Sequence, residues 1–110
     1  MAGKFVLRTG KNGKFHFNLK ASNGQVILTS EQYESRKSAE NGISSVKKNA
    51  ATDARYERKK AKNGESFFVL KASNGEPIGK SETYKRTSSM ESGIKSVMNN
   101  APGAPTVEDK

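Results

Sequence analysis

Ser-Glu-x-Tyr occurs twice, as Ser30-Glu31-Gln32-Tyr33 and Ser81-Glu82-Thr83-Tyr84, setting a carboxylate two residues from a phenol each time. A carboxylate near a phenol can do acid–base work, and two symmetric copies could form one composite site. The plainer reading puts Tyr33 and Tyr84 in the core beneath a helix start, with Glu31 and Glu82 supporting turn or helix N-terminal hydrogen bonds. His16 is the sole histidine and there is no cysteine, so one chain holds no zinc set, no triad and no thiol nucleophile. The carboxylates are scattered and form no dense cation cluster. Gly10-Lys11-Asn12-Gly13-Lys14 has the residue types of a phosphate loop without the G-x-x-x-x-G-K-[ST] spacing, and reads as a hairpin turn. The chain therefore reads as a non-enzyme with no catalytic residue, metal or cofactor.

Its charge offers a different chemistry. Twenty Lys and Arg against eleven Asp and Glu give +9 over 110 residues. Residues 1–51 carry nine bases and three acids, residues 52–101 ten and six, residues 102–110 one and two. Such a balance favours nucleic acid, acidic proteins or another polyanion, although a small solvated surface also needs net charge for solubility. Around the lysines the sequence alternates. If Phe17, Leu19, Phe68 and Leu70 face a core, then Lys4, Arg8, His16, Asn18, Lys20, Lys59, Phe67, Val69 and Lys71 share the opposite side of a sheet. Cations for phosphates beside flat rings for bases are what single-stranded nucleic-acid binders use. The candidate binding residues are Lys4, Arg8, His16, Lys20, Lys59, Phe67 and Lys71. The competing reading is a solvated or protein-contacting face, since a half-covered antiparallel sheet always has a polar side. The run Arg58-Lys59-Lys60-Ala61-Lys62 admits two readings as well, a clamp for anions or an edge strand protected from self-pairing by lysine.

These residues are positioned by a duplication. Residues 11–50 and 62–101 are two copies offset by 51, with 22 identical positions, anchored by Leu19–Gly24 and its exact return at Leu70–Gly75. Each copy reads as three strands and a helix. Lys4–Thr9 is short, alternating and rich in β formers, Lys14–Ala21 alternates apolar and polar residues, and Gln25–Ser30 completes a meander; Arg55–Lys60, Ser66–Ala72 and Glu76–Lys80 are their counterparts in the second copy. Asn-Gly at Asn12, Asn23, Asn63 and Asn74 predicts type I′ hairpins. Pro77 and Gly79 weaken the last strand and suggest a place near an edge.

The period then changes to 3.6. Ala39, Gly42, Ile43, Val46 and Ala50 form one helical stripe, and Met90, Gly93, Ile94, Val97 and Ala101 another. Ser35 or Ser38 can cap the first helix; Ser88 and Glu91 have capping-box spacing for the second. Gly42 and Gly93 cost roughly 1 kcal/mol each within a helix, which calls for a close approach to the sheet. One unit would leave open strand edges, whereas two can share a sheet. The expected fold is α+β: two tandem β-β-β-α repeats, 1–51 and 52–101, forming one antiparallel sheet with both helices on one face. Residues 1–101 make a single domain, a monomer with internal pseudo-twofold symmetry, and 102–110, with two prolines and a glycine, read as a mobile tail.

The repeated Leu-Lys-Ala-Ser-Asn-Gly, the two Ser-Glu-x-Tyr motifs, and Gly-Ile-x-Ser-Val at Gly42–Val46 and Gly93–Val97 resemble the bacterial YegP-like family over about residues 4–101. The resemblance implies one antiparallel sheet with two helices and interlocked units. It implies no activity and transfers no functional residue. The second copy departs from the pattern at Pro77, Gly79 and Met90. The start, Met1-Ala2-Gly3-Lys4-Phe5, lacks the apolar run of a secretory signal, and no stretch is long enough to span a bilayer, so the expectation is a cytoplasmic protein without a membrane partner. His16 against Phe67, Asn18 against Val69, and Thr9 and Gly10 against Lys60 and Ala61 make the open face asymmetric and direct attention to the second copy.

Overall fold

The computed structural model describes residues 3–109; readings that involve Met1, Ala2 and Lys110 fall outside them. Strands β1 (Lys4–Thr9), β2 (Phe15–Lys20) and β3 (Val26–Ser30) precede helix α1 (Arg36–Asn49). After a short 3-10 turn, β4 (Tyr56–Lys60), β5 (Ser66–Lys71) and β6 (Pro77–Lys80) precede α2 (Thr87–Asn100), and β7 (Thr106–Asp109) follows. All seven strands form one sheet in the order β4-β5-β6-β3-β2-β1-β7. Apart from β7, this order reads the same from both ends, which is the pseudo-twofold arrangement expected of the duplication. Both helices cover one face, where Phe5, Phe17, Leu19, Phe68, Leu70, Ile43, Val46, Ile94 and Val97 share one core.

Several local readings are corrected. The Asn-Gly hairpins are not type I′, a turn that needs positive φ at both central residues. Only the glycines have positive φ, at Gly13, Gly24, Gly64 and Gly75. The Gly10 N–H donates to the Lys14 carbonyl and the Gly13 N–H to the Gly10 carbonyl, a three-residue loop closed by a glycine bulge. Each Asn contributes its side chain instead: Asn12, Asn23, Asn63 and Asn74 Oδ1 each accept the N–H two residues on, at 3.0 Å.

The strand β6 is central rather than near an edge, paired with β5 on one side and β3 on the other. Pro77 is tolerated as its first residue. Gly79 is there because β3 comes close: an added Cβ would lie 2.8 Å from the Thr29 carbonyl oxygen and 3.2 Å from Leu28 Cγ. The glycines inside the helices have a related cause. A Cβ on Gly42 would sit 2.4 Å from the Tyr33 hydroxyl and 3.0 Å from the Phe17 ring, and one on Gly93 would sit 2.6 Å from the Tyr84 hydroxyl. The approach is made by tyrosines from the strand–helix connections as well as by the sheet.

Residues 102–110 are not simply a tail. β7 pairs with β1 in parallel, Phe5 opposite Thr106 and Arg8 opposite Asp109, making the sheet mixed. The Phe5 N–H donates to Pro105 O at 2.8 Å, Ala104 is buried, and Arg36 at the start of α1 forms a bidentate ion pair with Glu108. The outer edge of β1 supplies the hydrogen bonds that four residues could not make alone. At the same junction, Asn100 Oδ1 accepts the Gly3 N–H just before β1, as Asn49 Oδ1 accepts from Arg55 Nε just before β4. β1 thus stands where the strand following α2 would stand by symmetry, and β7 is added outside it.

The helix starts differ between copies. Ser35 caps α1, its Oγ accepting the Ser38 N–H at 3.1 Å. In α2 the Ncap is Arg86, the counterpart of Ser35, and no side chain caps it; Ser88 lies within the first turn and Glu91 turns to Arg58, so the capping box does not form. Arg86 has the extended backbone of a cap, φ −123° and ψ 145°. Arg86→Ser is therefore expected to stabilise the fold by about 1 kcal/mol, through an Oγ able to meet the Ser89 N–H. Urea unfolding of the variant beside wild type checks this, and an unchanged midpoint contradicts it.

Candidate functional site: the open face of the sheet

The face away from the helices gathers the alternate residues of every strand. Register aligns Glu57, Val69, Lys80, Thr29, Asn18, Val6 and Val107 side by side across all seven strands. Lys59 stands opposite Phe67, Lys4 opposite Lys20 and Arg8 opposite His16. All seven candidate residues thus occupy one face, as alternation required. They do not form one cluster. Strand direction sends Lys59 and Phe67 to one end of β4 and β5, and Arg8 and His16 to the opposite end of β1 and β2. Lys71 and the Lys4–Lys20 pair hold the other two corners. Five strand spacings, about 24 Å, separate β4 from β1.

Between the corners the face is mostly polar or apolar, with Lys80 exposed on β6. Asn18 Nδ2 donates to Thr29 Oγ1 at 3.0 Å, Val6 is only 5% exposed, and Val107 at the edge is 42% exposed. Glu57 was missed as a member of this face. It lies 2.6 Å from Lys71 Nζ and 3.7 Å from Lys59 Nζ, and the hydrogen bond from Lys71, with the Lys59 charge, holds its carboxyl below the ordinary range. Its spacing of two from Lys59 carried the signal.

The basic run of the second copy divides between the faces. Arg58 points to the helix side, where Nε reaches Glu91 Oε2 at 2.6 Å and Nη2 reaches Asp53 Oδ1 at 2.8 Å; these carboxylates raise its pKa, and it lowers that of Glu91. Arg58 fastens the edge strand β4 to α2. Lys60 and Lys62, with Ala61, Phe67, Lys80, Ser81 and Thr83, line an open concavity of about 400 Å³. The positions 51 residues earlier in the first copy are Thr9, Lys11, Gly10, His16, Thr29, Ser30 and Gln32 respectively for Lys60, Lys62, Ala61, Phe67, Lys80, Ser81 and Thr83.

The Ser-Glu-x-Tyr motifs are absorbed by the fold. Ser30 Oγ accepts the Phe17 N–H at 2.8 Å and donates to the Glu31 carbonyl, and Ser81 does the same for Phe68 and Glu82. Tyr33 and Tyr84 bridge by main chain to Phe15 and Ser66. Burial, and then the charge of Glu31 or Glu82, raises both phenol pKa values, keeping them protonated at neutral pH. Glu31 and Glu82 are exposed, and neither supports a helix start by a hydrogen bond among the described residues. A cavity of about 260 Å³ beside Tyr33 is lined by Ser38, Asn41, Ser45, Asn74 and Glu76 among others, but by neither Glu31, Glu82 nor Tyr84, so the two motifs form no composite site there. Among the described residues no group of three or more His, Cys, Asp or Glu could hold a metal ion, and no helix is long and apolar enough to cross a membrane.

The model of a domain of unknown function, DUF1508, matches this chain twice, at residues 11–57 and 61–108. The chain belongs to the DUF1508 family. Each DUF1508 match begins just before β2 or β5 and continues through the helix into the next strand, so that β1 precedes the first match and β7 ends the second. A UPF0339 protein of Bordetella pertussis is 54% identical over 106 residues, spanning 96% of this chain and 95% of its own. The solution NMR structure of yegP from E. coli, a protein of unknown function, superposes with a TM-score of 0.94 at 46% identity, over 99% of this chain and 94% of that one. A UPF0339 protein of Shewanella oneidensis, also solved by solution NMR, gives 0.92 at 44% identity over 98% and 92%. The two solved structures share the fold described above for this DUF1508 chain.

Proposed function

We propose that this chain is a cytoplasmic, monomeric, non-enzymatic binding module that takes single-stranded nucleic acid on the open face of its sheet. The observation that carries the reading is the distribution of charge on that face: Lys4, Arg8, Lys20, Lys59 and Lys71 stand at its corners and Lys80 among the polar and apolar residues between them, with Phe67 and His16 at diagonally opposite corners. Cations at the border suit a flexible phosphate chain that can cross the sheet, and the rings suit unpaired bases. The alternative occupant of the same face is an acidic protein, which Val107 at the exposed edge would also suit.

Fluorescence anisotropy with labelled single-stranded DNA and RNA across a salt series tests the proposal. With about four phosphates neutralised, log Kobs should fall against log salt with a slope near −3. Absence of binding at low salt overturns it. Glu57→Gln should tighten binding roughly two- to five-fold at low salt, because it removes the carboxylate between Lys59 and Lys71, and the gain should vanish as salt rises.

A further inference from the structure

The cavities of this molecule differ in chemistry. One of about 510 Å³, lined by Gly3, Lys4, Ala21, Ser22, Gly24, Gly103 and Pro105, offers one cation and no aromatic ring. That between Arg58 and Glu91 is also lined by Lys59 and Lys60 but has no aromatic ring, and Arg58 there is already paired with Glu91. The one beside Tyr33 holds neutral polar groups and Glu76. The concavity over Phe67 combines an aromatic with three lysines and has no carboxylate in its lining.

We propose that this concavity is a subsite for one unpaired nucleotide of a bound strand, its base lying on the Phe67 ring and its flanking phosphates held by Lys60, Lys62 and Lys80. The inference rests on the nucleic-acid reading above and adds a place and a mode to it. Lys60, Lys62 and Lys80 are exposed and enter no ion pair among the described residues, so their charges are available to a ligand. Phe67 is half-buried, held near the start of β5 opposite Lys59. A ring fixed by its strand meets a base at little entropic cost, and aromatic stacking accepts any base. Ser81 Oγ is already committed to Phe68 N and the Glu82 carbonyl, which leaves the exposed Thr83 as the free hydroxyl of the lining. A volume of about 400 Å³ falls within the range of small-ligand sites.

The duplication provides a control. The first copy carries Thr9, His16 and Thr29 where the second carries Lys60, Phe67 and Lys80, and it folds in the same way around them. The subsite therefore comes from substitutions that the fold does not require.

The test uses the full chain and two probes of about eight nucleotides, one carrying bases and one abasic with the same phosphate count. Phe67→Ala should weaken binding of the base-carrying strand roughly 5- to 150-fold while leaving the abasic strand unchanged. The triple variant K60T/F67H/K80T, which installs the first copy's residues, should lose affinity for both probes and keep the wild-type unfolding midpoint. Wild-type binding of the base-carrying strand with no loss in either variant overturns the subsite while leaving the open-face reading intact. Failure of the wild type to bind either probe overturns both. Binding of free adenosine monophosphate as tightly as the strand overturns the assignment to a strand.

Discussion

Phe68→Ala is expected to destabilise the domain by roughly 3–5 kcal/mol, and Phe17→Ala by a similar amount. Both side chains are completely buried. Phe68 meets Tyr56 edge-on with ring centroids 5.6 Å apart; Phe17 meets Phe5 edge-on at 5.8 Å and stacks on Tyr33 at 6.1 Å. Each ring also lies under the glycine of the helix above it, Gly93 over Phe68 and Gly42 over Phe17, so that helix position has no side chain to fill the space left by truncation. Losses of this size are a large part of the total stability of a small domain, about 5–15 kcal/mol. Urea unfolding should show a much lower midpoint with the slope unchanged; a loss under about 1 kcal/mol would show that the core collapses around the gap.

Gly79→Ala is expected to cost about 1–3 kcal/mol, although Gly→Ala at an ordinary strand position is favourable. The new methyl would press on the Thr29 carbonyl oxygen at 2.8 Å and approach Ser30 Cα at 3.3 Å. Both belong to main chain that cannot turn aside. The strain falls where the halves meet, at a seam of two register pairs, Thr29 with Lys80 and Ser30 with Gly79, plus the Glu31 N–H to Ile78 carbonyl bond at 3.2 Å. Faster hydrogen exchange at the Glu31 amide, with β1 and β2 still protected, would place the damage at the seam; exchange unchanged throughout would count against it. Adding Leu28→Ala should not restore stability, since it relieves the 3.2 Å contact with Leu28 Cγ and leaves the carbonyl contact in place.

The elements were legible in the sequence because their causes are local. Alternation around Phe17 and Phe68 and the 3.6-residue stripe through Ile43 and Ile94 fixed which face each element buries, and the same alternation assigned all seven candidate residues to the open face. What escaped depends on partners distant in the chain. Gly79 and Pro77 look like strand breakers until Leu28 and Thr29 arrive beside them. Thr106–Asp109 has only two strand-favouring residues, Thr106 and Val107, and becomes a strand because β1 offers an unpaired edge. Glu91 has capping-box spacing, but Arg58 lies 33 residues away and takes the carboxylate. On the open face, the run Arg58–Lys62 looked like one cluster, whereas pleating sends Arg58 to the helix side and Lys59 to the open face opposite Phe67, while Lys60 at the strand end and Lys62 in the turn line the concavity that Phe67 also lines.

The parallel pairing of β1 with β7 has a mechanical consequence. Phe5 stands opposite Thr106 and Arg8 opposite Asp109, so Lys4 and Asp109 lie at opposite ends of two strands that run the same way. Tension applied between those ends pulls the strands past each other along their length. The ladder bonds then carry the load together, in shear, rather than opening one after another from an end as in a peeled hairpin. The Arg36–Glu108 pair and the Phe5–Pro105 bond brace the same junction. A strand of four residues thus sets how the whole domain resists being pulled from its termini.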